Sequence, residues 1–143
     1  MFVCLGNICR SPGAEGILRK MAKDAGLDLT IDSAGTGGWH EGDPPDPRMR
    51  RAAAGRGYDL ETIRARPFDD GDGFAFDRIY VMDGSNLRDV EDRRLPGWTA
   101  RIEPFCSRDV PDPYHGGEAG FARVLDMLED RCRLLIEELR NDR

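Results

Sequence analysis

A cysteine and an arginine separated by five residues lie near the start of the sequence, in an arrangement suited to binding and attacking a phosphate. They are Cys4 and Arg10, and the segment that they bound reads CLGNICR. A loop curled around a phosphate points backbone N–H groups at its oxygens, and a helix that begins there adds the positive end of its dipole. The same field favours a cysteine thiolate, which is the nucleophilic form. Cys4 is therefore the candidate nucleophile, and the planar fork of Arg10 is suited to gripping two phosphate oxygens.

The residues around this pair suit such a loop. Gly6 permits close approach of the backbone to an anion, and Asn7 is one of the few types other than glycine that tolerate a positive φ. Ser11 is placed to donate its hydroxyl to the Cys4 sulfur. A C-x5-R pattern often arises by chance, so its place between a strand and a helix carries the argument. The predicted phosphate-binding residues are Leu5, Gly6, Asn7, Ile8, Cys9 and Arg10.

Short apolar runs alternate with amphipathic helical stretches, and this order predicts an α/β fold. We expect an open, doubly wound sheet of about four parallel strands with helices on both faces. The loop over residues 35–47, rich in glycine and proline, is expected to be long and exposed. Strands are expected over 2–5, 27–32, 79–82 and 102–105, and helices from Ser11 to Gly26, over 46–55, over 85–93 and from Phe121 to Leu139.

Length and composition limit the remaining possibilities. Residues 1–143 are expected to form one domain, since this length is typical of one. No apolar run spans a bilayer and the first residues do not resemble a signal peptide, so we expect a cytoplasmic location without a membrane partner. Cysteines stay reduced there, and the spacing of the four does not suggest zinc. We therefore expect neither a metal nor a cofactor.

The charged residues give weaker indications. A formal net charge of −6 argues against general nucleic-acid binding. Arg48, Arg50 and Arg51 cluster, which we interpret as a solvated helix face, with a role in holding an acidic peptide as the alternative. His40 and His115 are expected to be polar surface residues, with a place at the substrate rim as the alternative.

Two segments at opposite ends of the sequence carry a family resemblance. VCLGNICRSP, which contains Cys4, resembles the phosphate loop of the low-molecular-weight protein tyrosine phosphatases, and Asp112-Pro113-Tyr114 resembles their D-P-Y acid loop. The resemblance implies hydrolysis of phosphotyrosine and other aryl phosphate monoesters through a phosphocysteine on Cys4. Asp112 would be the general acid and base, a role that such a reaction requires of a carboxylic acid on a separate loop.

The same resemblance extends over most of the chain. It implies that Trp39 and Tyr114 wall the cleft and stack on the substrate ring, which would hold shorter phosphoserine out of reach of the thiolate. It implies a phosphotyrosine-containing protein as partner, with a tyrosine kinase as one candidate, and phosphate-like anions as inhibitors.

The sequence departs from the family pattern at two informative positions. Ile63 stands where members commonly have a histidine that orients the loop asparagine, so the sequence does not say what supports Asn7. His115 follows Asp112-Pro113-Tyr114 where many members have a second tyrosine, a phosphorylation site in some. Cys9 is near Cys4 in any curled loop, so a reversible disulfide under oxidation is a further hypothesis.

Two other functions compete with this interpretation. A thioredoxin-coupled arsenate reductase has a similar fold and loop, but it needs two more cysteines in the middle of the chain, and none lies between Cys9 and Cys106. A phosphotyrosine-binding module would keep the loop without turnover. Binding alone needs neither Cys4 nor Asp112, and this favours an enzyme.

Overall fold

The structure, a computed structural model, describes residues 1–114 and 116–142 and contains a four-stranded parallel sheet. Its strands lie in the order β2-β1-β3-β4, and each neighbouring pair is parallel. The prediction of an open parallel sheet is confirmed. The strands are β1 (Phe2–Cys4), β2 (Ser33–Gly35), β3 (Arg78–Val81) and β4 (Arg101–Pro104).

Helices cover both faces of this sheet. Residues of α1, α2 and α5 share the larger hydrophobic cluster with one face, whereas Val90 of α4 belongs to the smaller cluster on the other face. In the described part of the chain, no helix is both long and apolar enough to cross a membrane. The helices are α1 (Arg10–Asp24), α2 (Pro47–Ala54), α3 (Asp72–Ala75), α4 (Gly84–Asp92) and α5 (Glu118–Asn141).

Alternation along the strands divides the core in two. Phe2, Cys4 and Tyr80 point into the larger cluster, and Val3 and Ile79 point into the smaller one. This is the period of two that a strand buried on both faces shows. Cys4 is therefore the last residue of a fully buried strand, with its side chain on the face that α1 and α5 cover.

The predicted second strand was placed wrongly. We expected it at residues 27–32, but β2 is Ser33–Gly35, paired with β1 in the register Phe2↔Ser33. Leu27 and Ile31 are buried in the cluster beneath α1 without belonging to the sheet. Their alternation with polar residues therefore reflects packing against helices, which a period-two pattern cannot distinguish from a strand.

The other predicted elements agree with the structure to within a few residues, and α3 was not predicted. The first helix ends as expected before Gly26, whose φ of +70° lies in the left-handed region that glycine adopts freely. At its other end, the helix begins at Arg10, directly after the loop that carries Cys4. The topology reverses between β1 and β3, so this loop opens at the switch point of the sheet.

Candidate active site

The phosphate loop, residues 4–10, curls between the end of β1 and the start of α1, and neighbouring segments hold it from outside. The carbonyl of Cys4 accepts from the amide of Thr36 at 2.9 Å, and the carbonyl of Leu5 accepts from the amide of Gly37 at 2.9 Å. Gly35 permits this close approach, since a Cβ built on it would lie 2.7 Å from the Leu5 oxygen. Loop carbonyls that face outward leave the opposite side of the backbone for an anion.

The Cys4 thiol lies at the base of the loop against the Ser11 hydroxyl. The Sγ–Oγ distance is 3.0 Å, and both residues are almost completely buried. The side-chain amide of Asn7 donates to the Ser11 oxygen at 2.8 Å. Because Ser11 already accepts this bond, its own proton can go to the sulfur or to the carbonyl of Ala34, which lies 3.5 Å from the Ser11 oxygen. Ser11 is thus in hydrogen-bond contact with Cys4.

Asn7 is held by a second set of contacts, although Ile63 replaces the histidine expected to support it. Its Nδ2 also donates to the Ser33 hydroxyl at 2.9 Å, and its Oδ1 accepts from the amide of Arg66 at 3.0 Å. Ser33 in turn donates to the buried carboxylate of Glu15 at 2.6 Å. Asn7 has a φ of +57°, and its side-chain bonds to Ser11, Ser33 and Arg66 hold it in that conformation. Ile63 itself is buried in the larger cluster.

The guanidinium of Arg10 is anchored on one side by groups from two other segments. Its NH1 donates to Asp83 Oδ2 at 2.7 Å and to the carbonyl of Val110 at 3.0 Å. Burial lowers the pKa of Arg10, but the charge of Cys4, the hydrogen bond from Arg10 to Asp83 and the charge of Asp83 outweigh burial and raise the pKa above its ordinary value. Arg10 is therefore cationic and held in one orientation.

The acid loop, residues 110–114, places Asp112 opposite this arginine. Asp112 Oδ2 lies 3.8 Å from Arg10 NH2, and Asp112 Oδ1 accepts from the amide of Tyr114 at 3.0 Å. One carboxylate oxygen is thus held by the loop and the other faces the cleft. The carboxyl is 46% exposed, so both water and a molecule bound in the cleft can reach it.

A cleft of about 290 Å³ joins these groups. Trp39, which is 70% exposed, and Tyr114, which is 40% exposed, stand at its sides. His40 also lies here, with its ring centroid 6.4 Å from that of Tyr114 and its Nδ1 3.2 Å from Asp43, so the structure places His40 on the rim. The lining residues are Cys4, Leu5, Gly6, Ile8, Cys9, Arg10, Trp39, His40, Asp112 and Tyr114.

The second cysteine of the loop differs chemically from the first. Cys9 is buried, and burial together with the charges of Asp46 and Cys4 raises its pKa well above the ordinary range. It therefore stays a thiol at neutral pH. Both cysteines are free in the structure, so a disulfide between them under oxidation stays a prediction.

Comparisons with known proteins agree with this geometry. The family model described as "Low molecular weight phosphotyrosine protein phosphatase" matches residues 1–143. The chain belongs to this family. A putative low molecular weight protein-tyrosine-phosphatase of Synechocystis is 45% identical over 97% of this chain and 94% of that protein.

Solved structures support the same assignment. A protein tyrosine phosphatase of Entamoeba histolytica, with Hepes in its active site, is 43% identical with a TM-score of 0.92, over 99% of this chain and 96% of that one. A Drosophila protein described as an arginine phosphatase is 30% identical with a TM-score of 0.93, over 99% and 98% of the two chains. The phosphatase fold is therefore shared by proteins whose names give different substrates.

The structure brings most of the predicted site residues of this phosphatase family member to one place. The predicted nucleophile, arginine, acid and aromatic walls all line the cleft, whereas Ser11 and Asn7 lie buried beneath it. His115 lies outside the described residues. Of the clustered arginines, Arg51 is exposed, as expected of a solvated helix face, whereas the partly exposed Arg48 and Arg50 form ion pairs with Asp46 and Glu61.

Sequence reasoning missed several residues that support the site. Asp83 binds the arginine, and Ser33 and Glu15 support the asparagine. One of them was detectable, since Asp83 directly follows the predicted strand over residues 79–82 and lies just beyond the carboxyl end of β3. Asp83 also forms a capping box with Asn86. Polar residues near the carboxyl ends of parallel strands are candidates for a ligand site in this fold.

Among residues 1–114 and 116–142, no group of three or more histidine, cysteine, aspartate or glutamate side chains could hold a metal ion.

Proposed function

We propose that the chain is a protein tyrosine phosphatase that hydrolyses phosphotyrosine through a phosphocysteine on Cys4. The observation that carries the proposal is the convergence of three groups on one cleft: the buried Cys4 sulfur, the anchored guanidinium of Arg10 and the carboxyl of Asp112. A phosphate above the sulfur would contact all three. Binding without turnover would not require the sulfur or the acid.

In the first step the Cys4 thiolate attacks phosphorus, and the bond from phosphorus to the tyrosyl oxygen breaks. The proton on Asp112 passes to that oxygen, so tyrosine leaves as a neutral phenol. Arg10 binds two equatorial oxygens and the loop amides of residues 5–10 bind the others, which stabilises charge on the transferring group. Asp83 and Val110 already hold the NH1 side of the guanidinium, so Nε and NH2 are the atoms for phosphate.

In the second step water attacks the phosphocysteine. The Asp112 carboxylate accepts a proton from this water, the sulfur–phosphorus bond breaks, and inorganic phosphate is released. The sulfur leaves as a thiolate, and the Ser11 hydroxyl at 3.0 Å stabilises that charge. No cofactor enters either step, since the nucleophile, the acid and the electrophilic groups all belong to the chain.

The aromatic rim favours an aryl phosphate as substrate. Trp39 and Tyr114 expose ring surface at the sides of the cleft, and a flat phenyl ring can stack there. The partner would then be a phosphotyrosine-containing protein, with a tyrosine kinase among the candidates. Phosphoarginine is the competing substrate for the experiment, because one structural relative is described as an arginine phosphatase.

Steady-state hydrolysis tests the proposal directly. We expect purified protein to hydrolyse p-nitrophenyl phosphate and a phosphotyrosine peptide in the presence of EDTA, with competitive inhibition by vanadate. Cys4→Ser should lose nearly all activity, and denatured wild-type protein trapped during turnover should carry one phosphate on Cys4 by mass spectrometry.

Matched comparisons separate the competing functions. Cys106→Ser, which changes a cysteine away from the cleft lining, should keep wild-type activity. Activity that survives in Cys4→Ser, or that EDTA abolishes, would refute the mechanism. Faster turnover of phosphoarginine than of phosphotyrosine would refute phosphotyrosine as the preferred substrate. Tight binding of phosphotyrosine without hydrolysis would identify the protein as a binding module.

A further inference from the structure

Arg48 lies outside the cleft lining but contacts both the acid loop and a residue tied to the phosphate loop. It is the second residue of α2, and its guanidinium lies between Asp46 and the backbone near Tyr114. We propose that Arg48 is a positioning residue that fixes the acid loop relative to the phosphate loop, and so sets the place from which Asp112 gives its proton. This inference rests on the proposed function.

Arg48 contacts the acid loop and the residues just after it through backbone carbonyls. NH2 donates to the carbonyl of Tyr114 at 2.7 Å, and NH1 donates to the carbonyl of Gly116 at 3.3 Å. The guanidinium carbon also lies 5.6 Å from the ring centroid of Tyr114 and 4.8 Å from that of Phe121, on α5. Such distances are those of cation–π contacts. The guanidinium of Arg48 therefore contacts the chain just after Asp112 in two ways. Its N–H groups bind backbone carbonyls, and it packs against aromatic rings.

The contacts on the other side lead to the phosphate loop. Nε and NH2 of Arg48 donate to the two carboxylate oxygens of Asp46, at 3.1 Å and 3.0 Å. Asp46 is 8% exposed, and its backbone amide donates to the carbonyl of Ile8 at 2.8 Å. The Asp46 carboxylate also caps α2 through the Arg48 amide at 2.8 Å. A continuous series of hydrogen bonds thus runs from Ile8 through Asp46 and Arg48 to Tyr114.

Asp112 depends on this series because its Oδ1 accepts from the amide of Tyr114, whose carbonyl Arg48 binds. The acid loop is fixed before Asp112 by the amide of Val110, which donates to Met82 at 2.8 Å, and by Arg10. After Asp112 the Arg48 bonds to the Tyr114 and Gly116 carbonyls tie the chain to α2. Loss of these bonds would remove the ties between α2 and the backbone just after Asp112. Displacement of a catalytic group by about 1 Å can cost about 100-fold in rate.

If Arg48 positions Asp112, its loss should affect a phosphotyrosine substrate more than p-nitrophenyl phosphate. General destabilisation of the protein would affect both substrates equally. Proton donation matters for a leaving group as basic as tyrosine, whose hydroxyl has a pKa of about 10, and much less for the acidic p-nitrophenol. We expect Arg48→Gln to lower kcat/KM for a phosphotyrosine peptide by about 10-fold to 100-fold. The loss for p-nitrophenyl phosphate should be several times smaller. Asp112→Asn should show the same selectivity with a larger loss, of about 100-fold or more.

A double-mutant cycle tests whether Arg48 acts through Asp112. If it does, adding Arg48→Gln to Asp112→Asn should cost no further activity on the phosphotyrosine peptide. Arg51→Gln is the matched control, since it changes an exposed arginine of the same helix and should leave both substrates unaffected. If Arg48→Gln does not fold, the cycle is run with Arg48→Lys, whose ammonium lacks the fork that spans Asp46 and Tyr114.

The outcomes separate this inference from the proposed function. Equal losses on both substrates, or losses that multiply in the double mutant, would overturn the role of Arg48 while leaving the phosphatase mechanism intact. A wild-type protein without turnover, or an active Cys4→Ser variant, would instead overturn the proposed function. A selective loss in Arg48→Gln that disappears in the Asp112→Asn background would support both.

Discussion

Arg10 and Asp83 form an ion pair beneath the cleft, with 2.7 Å between NH1 and Oδ2. The arginine side chain is 3% exposed and the carboxylate 23% exposed, so the pair is largely shielded from water. Asp83 also caps α4 by accepting from the amide of Asn86 at 2.8 Å. The carboxylate is thus fixed by a helix, and it fixes the arginine that we propose binds phosphate.

We expect Asp83→Asn to lower kcat/KM by about tenfold, because Arg10 would lose the partner that orients its fork. Asparagine is itself a good N-cap, so α4 should persist and the loss should reflect orientation. The measurement is steady-state kinetics with p-nitrophenyl phosphate. Asp89→Asn, an exposed change on the same helix, is the control. Unchanged kcat/KM in Asp83→Asn would show that Arg10 is held adequately by Val110.

The same carboxylate predicts a pH dependence of stability. Burial raises the pKa of Asp83, but hydrogen bonds from Arg10 and from the start of α4 lower it more, so its folded pKa lies below the ordinary value. Such a group stabilises the fold above its unfolded pKa of about 3.9, and this contribution is lost as pH falls through the folded pKa.

Wild type should therefore exceed Asp83→Asn in free energy of unfolding most clearly at neutral pH. The difference should shrink once pH falls below about 4. Urea unfolding of both proteins between neutral and acid pH measures it. A difference that stays constant, or that grows toward acid pH, would contradict the linkage.

Gly35→Ala should damage both the sheet and the phosphate loop. A Cβ there would lie 2.7 Å from the Leu5 oxygen and 3.0 Å from the Gly37 oxygen, and backbone atoms cannot move aside cheaply. We expect a loss of about 1–3 kcal/mol in the free energy of unfolding, together with reduced phosphatase activity.

Gly38→Ala is the matched control for that change, since its nearest neighbour would be Pro67 Cβ at 3.9 Å. It should alter stability by no more than about 0.5 kcal/mol. Thermal unfolding and kinetics of the two variants test the pair. Equal behaviour of both would show that the packing of Gly35 against Leu5 is not limiting.

Trp39→Ala should separate recognition from stability. The side chain is 70% exposed, so we expect a change of no more than about 0.5 kcal/mol in the free energy of unfolding. KM for a phosphotyrosine peptide should rise by up to about tenfold, as expected for the loss of one aromatic contact. Phe74→Ala, which changes a 50% exposed aromatic away from the cleft lining, should not alter KM. An unchanged KM in Trp39→Ala would exclude stacking on the substrate ring.

The position of the phosphate loop between a strand and a helix was predictable because it is encoded locally. Cys4, Asn7 and Arg10 lie within one short segment between a buried strand and a helix. Their residue types indicate a loop that binds an anion next to a nucleophile. The strand over residues 27–32 was predicted wrongly for the same reason: a local pattern cannot tell whether its apolar face meets a helix or a sheet. Register with β1 placed the strand at Ser33–Gly35 instead.

The sequence by itself determined the fold class, and it made Cys4 the candidate nucleophile, Arg10 the candidate phosphate ligand and Asp112, through the family resemblance of its segment, the candidate acid. Only the tertiary structure decided what holds them: Asp83 on Arg10, Ser33 and Arg66 on Asn7, and Arg48 beside Tyr114. These partners come from distant segments. Their distances depend on the order and register of parallel strands, which arise when the whole core packs.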